Sequence, residues 1–105
     1  MKRVETSKQL AAAVAKKKAV ALFHAIWCPY CRSFVPIFEE GTRGSKLEVI
    51  EAVVDDEENP LWTEHSIEVV PTVLFFENGE VVKRLDGRPG VGLTREELAS
   101  ALAKA

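Results

Sequence analysis

A chain of 105 residues with 47% hydrophobic and 29% charged content fits one compact globular domain, expected to span 1–105, and excludes a disordered or fibrous segment. The formal net charge is −2, and the 14 Lys and Arg residues are scattered rather than gathered on a stripe, which argues against nucleic acid as a partner. No run of about 18 apolar residues is available to span a membrane. Met1-Lys2-Arg3 followed by Leu10-Ala11-Ala12-Ala13-Val14-Ala15 has the outline of a secretory leader, but six apolar residues between polar flanks fall short of the usual run of about 7–15. The expectation is a cytoplasmic protein, in which two cysteines are reactive or metal-binding rather than a structural staple.

Arg3-Val4-Glu5 suits a short first strand. Thr6 and Gln9 have capping-box spacing, and Leu10, Val14 and the alanines continue a helix predicted over 7–17, with Lys16-Lys17-Lys18 as its solvated end. Ala19 to Ile26 is a nearly continuous apolar run, the pattern of a strand covered on both faces. A helix from Pro29 carries Phe34, Val35, Ile37 and Phe38, with Pro36 as a kink and Gly41 and Gly44 at its end. Leu47 to Asp55 reads as a second buried strand, and Asp55-Asp56-Glu57-Glu58 as a solvated turn ahead of a helix. Asn59-Pro60 opens that short helix, which runs through His65, with Trp62 and His65 as ordinary helix residues. Asn78-Gly79 between two apolar runs, 72–77 and 80–85, is a strong hairpin signal. Thr94 and Glu97 form a second capping box, and Leu98, Ala101 and Leu102 give the last helix one apolar face. Alternating strands and helices followed by a hairpin predict an α/β fold with a mixed sheet of four or five strands, flanked by helices on both faces.

The chemistry concentrates where the first buried strand meets the helix at Pro29. Proline lacks the N–H that a first helical position leaves unpaired, so Cys28 becomes the cap. Free N–H groups and the positive end of the helix dipole then face its sulfur, and the attacking form of cysteine is the thiolate. Cys31, three residues on, shares that face of the first turn and can close a reversible disulfide. A closed zinc site wants four ligands, and His24 and His65 do not sit at finger-like spacing from the cysteines, so neither metal nor cofactor is expected. His24, inside a buried strand, reads as a satisfied core histidine.

Trp27-Cys28-Pro29-Tyr30-Cys31 resembles the W-C-x-x-C motif of the thioredoxin-like family, and the resemblance runs through essentially the whole chain. Pro36 matches the family's kink proline, Val70-Pro71-Thr72 its cis-proline loop, and Phe76 to Glu80 the hairpin that follows. The resemblance implies the thioredoxin-like fold and a thiol-disulfide oxidoreductase acting on disulfide-containing proteins. It casts Cys28 as nucleophile and Cys31 as resolving thiol, with Trp27, Pro29, Tyr30, Val70 and Pro71 lining the substrate surface. Electrons would come from a thioredoxin reductase-like enzyme or from glutathione, and the absence of an exposed apolar stripe suits a monomer.

Three departures stand out. Pro29-Tyr30 between the cysteines is similar to glutaredoxins, which makes a glutathione-dependent activity the first alternative and a non-catalytic peptide-docking module the second. Leu22 occupies the place of the family's buried aspartate, and the accompanying lysine falls at Glu51 or Val53. Arg88-Pro89-Gly90-Val91 looks inserted before the last helix, and Arg88 is the candidate for partner-specific contact.

Overall fold

The computed structural model describes all 105 residues, Met1–Ala105. Five strands form one sheet: β1 (Lys2–Val4), β2 (Lys18–His24), β3 (Glu48–Val53), β4 (Thr72–Glu77) and β5 (Glu80–Leu85), in the order β1-β3-β2-β4-β5. β3 runs parallel to both β1 and β2, whereas β4 is antiparallel to β2 and to β5. The centre of the sheet belongs to β2, and Ala19 to Phe23 are wholly buried there, which accounts for the uninterrupted apolar run.

Alternation along β2 sends its side chains into two cores. Ala19, Ala21 and Phe23 join Leu10, Ala13 and Val14 of helix α1 (Ser7–Val14) and Leu61 of α3 (Leu61–Glu64). Val20 and Leu22 pack with Phe34 and Phe38 of α2 (Pro29–Thr42) and Leu98 and Ala101 of α4 (Arg95–Ala103). The mixed sheet between two helical layers is the α/β arrangement that the alternating pattern predicts.

The boundaries differ in instructive ways. α1 stops at Val14 rather than Lys17, because the chain must reverse before Ala19 enters the core; Lys16 turns it with φ +56. Thr6 caps α1 by accepting the Gln9 N–H at 3.1 Å, but the Gln9 side chain takes the Glu5 N–H, one residue earlier than a closed capping box requires. β2 ends at His24 instead of Ile26, for a reason that belongs to the site. α2 ends at Thr42, between Gly41 in its last turn, whose missing side chain admits Leu98 of α4, and Gly44 at φ +81. Asn59 does cap α3 by accepting the Leu61 N–H at 3.0 Å, yet the helix is a single turn ending before His65. Asn78 and Gly79 turn the hairpin with positive φ, and Thr94 and Glu97 close their box reciprocally at 3.1 Å each way.

Because β2 and β3 are parallel and β4 enters the sheet at the end where β2 leaves it, four connections meet at one edge. These are the turn after β2, the acidic turn after β3, the loop before β4 and the exit from β5.

Candidate redox site

Cys28 is the N-cap of α2, with Pro29 at the first helical position. Its sulfur accepts the Cys31 backbone N–H at 3.2 Å, and its thiol donates to the Val70 carbonyl at 3.4 Å. Both cysteines are free thiols, Cys28 5% and Cys31 1% exposed. Burial, and then a hydrogen bond with the Cys28 side chain, push the Cys31 thiol up to about 12 from an ordinary 9.0, against a lesser lowering by the Ala25 backbone.

The Val70 carbonyl is placed by a cis Val70–Pro71 bond. The loop around it is pinned from several directions. Thr72 donates its hydroxyl to the Val69 carbonyl at 2.6 Å and accepts the Gly87 N–H at 3.2 Å. Arg84 donates to the His65 and Ser66 carbonyls at 2.8 and 3.1 Å while paired with Asp86. The Val70 N–H itself finds no partner within the protein.

Trp27, Pro29 and Tyr30 stand exposed around the buried sulfur of Cys28. Trp27 is braced: its indole N–H donates to the Asp55 carbonyl at 2.8 Å, and its ring stacks on Trp62 with centroids 6.3 Å apart and planes within 7°. Trp62 in turn donates to the Asp56 carbonyl at 3.1 Å, so it is a structural support of the rim rather than an ordinary helix residue. The Asp55 carboxylate accepts the Ile26 N–H at 2.7 Å and draws the chain out of the sheet, which ends β2 two residues early and turns Ile26 into solvent. Asp55 and Asp56 therefore do more than solvate a turn. Their signal in the sequence is an acidic pair at the end of an apolar strand, a pattern that a solvated turn shares. His65 is also more than surface helix: it lies between Phe23 and Phe76, and burial, with a smaller repulsion from Arg84, holds its imidazole below the ordinary value despite Glu64.

Thus Trp27, Cys28, Pro29, Tyr30, Cys31, Val70 and Pro71 share one edge of the sheet. The Arg88 guanidinium, 52% exposed, pairs with Glu97 of α4 at 2.7 Å. Leu22 is wholly buried, and strand register sets it beside Glu51. The Glu51 carboxylate faces His24 Nε2 at 3.2 Å, which satisfies His24 as a core histidine and leaves no acid in the position of Leu22. No group of three or more His, Cys, Asp or Glu side chains is placed to hold a metal ion, and no helix is long and apolar enough to cross a membrane.

The perturbed Cys31 thiol makes stability depend on pH. In the unfolded chain it releases its proton near pH 9.0, in the folded protein only near about 12, so above pH 9.0 the unfolded state binds fewer protons and gains ground. This contribution is full below pH 9.0 and is lost as pH rises toward about 12. The urea midpoint of reduced wild type should therefore fall more steeply between about pH 8 and pH 10.5 than that of Cys31→Ser, which has no such proton. Equal slopes would contradict a thiol held neutral by burial.

A sequence model of the Thioredoxin family matches residues 2–104. Thioredoxin H3 of Arabidopsis thaliana is 35% identical over 100 residues, covering 94% of this chain and 80% of that protein. A thioredoxin of Mycolicibacterium smegmatis is 36% identical over 90 residues, covering 82% of this chain and 80% of the relative. The solved structure of Malassezia sympodialis thioredoxin aligns with a TM-score of 0.82 at 26% identity, over 99% of this chain and 89% of that one. With the family's pattern matched almost from end to end and its fold reproduced around the cysteine pair, the chain belongs to the thioredoxin family, and its activity is thiol-disulfide oxidoreduction.

Proposed function

We propose that the chain is a protein-disulfide reductase in which Cys28 is the nucleophile and Cys31 the resolving thiol. The Cys28 thiolate attacks one sulfur of a substrate disulfide, forming a mixed disulfide and releasing the other sulfur as a thiolate that takes up a proton. Cys31 gives its proton to the substrate thiolate just released and attacks the Cys28 sulfur; the Cys28–Cys31 disulfide forms and the second substrate sulfur leaves as a thiolate, so two electrons pass from the dithiol to the substrate. The carrying observation is the unequal placement of the two thiols. Cys28 keeps 5% of its surface exposed and has an N–H donor on its sulfur, while Cys31 is 1% exposed and is held protonated. The unpaired Val70 N–H and the neighbouring Trp27, Pro29, Tyr30 and Pro71 support docking of an extended substrate segment beside Cys28.

Family membership supports a thioredoxin reductase-type enzyme as electron donor, with glutathione as the competing donor. The remaining parts of the reading are one domain over 1–105, a monomer, and work in the cytoplasm. The equilibrium reduction potential of the Cys28–Cys31 pair is the test. A value near about −270 mV supports a general protein-disulfide reductase supplied by such an enzyme. A value near about −200 mV would place the pair with glutaredoxins and overturn the reductase reading.

A further inference from the structure

The loop that carries Val70 to Cys28 starts at His65, whose imidazole is seated in an apolar slot. Its ring centroid lies 5.6 Å from that of Phe23 on β2 and 5.9 Å from that of Phe76 on β4, tilted against the first and edge-on to the second. Arg84 bonds the His65 carbonyl, but neither ring nitrogen has a hydrogen-bond partner in the protein; the half-buried ring keeps them in touch with water. The backbone beside the ring is clamped. Arg84 donates to the His65 and Ser66 carbonyls at 2.8 and 3.1 Å, Ser66 reverses the chain at φ +53, and the Ile67 N–H donates to the Trp62 carbonyl at 2.7 Å. Three residues on, the Val70 carbonyl receives the Cys28 thiol. Slot, clamp and loop form one path from the core to the redox site.

An imidazolium fits this slot badly. Two phenyl rings stand where a cation needs water, and their attraction for it is weaker than the hydration they displace. The charges nearby are divided: Glu64 of α3 favours the proton, whereas Arg84 of β5, paired with Asp86 and close to Glu68, opposes it. β2 and β4 supply no compensating acid, because strand alternation sends His24 and Glu77, the neighbours of Phe23 and Phe76, to the other face of the sheet. α1 adds only Leu10, Ala13 and Val14 to this core. Burial therefore holds the ring below its ordinary 6.5, and its contribution to stability is complete above pH 6.5 and lost as pH falls below it.

We propose that His65 is a proton-operated latch on the cis-proline loop: the neutral ring, seated between Phe23 and Phe76, keeps residues 66–70 in place beside Cys28, and the imidazolium leaves the slot for water and slackens that loop. Its effect on substrate rests on the proposed reading of Val70 as a docking edge. Once out in water the ring recovers its ordinary affinity for protons, so the open form gains about tenfold in weight at pH 5.5, one unit below 6.5, while the closed form gains less. The oxidoreductase thus engages substrate less well in acid, through a group six positions from Pro71 that touches neither sulfur.

Amide hydrogen exchange of the reduced full chain, divided by the intrinsic rate at each pH, reads the opening. Protection of the Ile67 amide should drop about tenfold from pH 7.5 to pH 5.5 in wild type and stay level in His65→Phe and His65→Leu, which take up no proton and differ in bulk. Over the same interval kcat/KM for insulin disulfides should fall about twofold in wild type relative to both variants. Level protection in wild type overturns the latch. So does an equal acid loss in all three proteins, since the loop would then open for another reason. A drop in protection with no relative change in kcat/KM overturns its control of docking. If none of the three reduces insulin at any pH, the reductase reading falls, and the exchange data still decide the latch.

Discussion

Cys28→Ser is expected to remove disulfide reduction altogether, a fall of about 10⁴ or more, because on the proposed mechanism no second exposed thiol can take over the attack. Cys31→Ser gives a different outcome. Its Cys28 sulfur still reacts, but nothing displaces the product, and the protein accumulates as a mixed disulfide visible as a mass increment that dithiothreitol removes. The contrast follows from depth. Cys28 caps α2 with its sulfur against Val70, whereas Cys31 sits one turn further in, 1% exposed, with its thiol pushed up to about 12 by burial. The assignment fails if Cys28→Ser still turns over, or if Cys31→Ser yields no adduct with a disulfide substrate.

The second large effect belongs to a residue with no side chain. Gly87 follows β5 and lies against the backbone of the cis-proline loop, so closely that a Cβ there would overlap the Pro71 carbonyl oxygen. That obstacle is main chain and cannot swing aside. Gly87→Ala must displace the loop or break the hydrogen bond from its N–H to Thr72 Oγ1. A destabilisation of about 1–3 kcal/mol is expected from such overpacking. Activity should fall further than stability does, because Pro71 and Val70 move together and the Val70 carbonyl is the partner of the Cys28 thiol. Urea denaturation gives the first number, and insulin reduction at a temperature where the variant is fully folded gives the second. Wild-type values in both would mean that the cis-proline loop yields to an added methyl group without cost.

Much of this architecture was legible because its signals are local. Pro29 marks the start of α2 and so makes Cys28 its cap; the apolar run at 19–23 announces a strand covered on both faces; Asn78-Gly79 and Thr94 with Glu97 set a hairpin and a helix start within four residues of themselves. What stayed hidden depends on residues far apart in the chain. Trp62 resembles any apolar position of a one-turn helix until the fold lays it on Trp27. Asp55 reads as one charge of four until its carboxylate takes the Ile26 N–H, 29 positions away, and shortens β2. His65 carries no mark of burial, since a helix of four residues is too short to display a face. Arg88 showed its charge but not its partner, Glu97, which the packing of α4 supplies. The end of α1 was missed for a related reason. Lysine is a good helix former, and only the need to deliver Ala19 into the sheet forces Lys16 into a left-handed turn.

The bracing of Trp27 by Trp62 and Asp55, with Gly92 seated on Tyr30, has a consequence for traffic through the site. Both side chains are anchored to the rest of the fold, so on the proposed reading they present one outline to every protein that docks beside Cys28. Whichever protein brings electrons and whichever takes them must show the same outline to the same opening, one after the other. The two visitors compete, and each must depart before the next can enter.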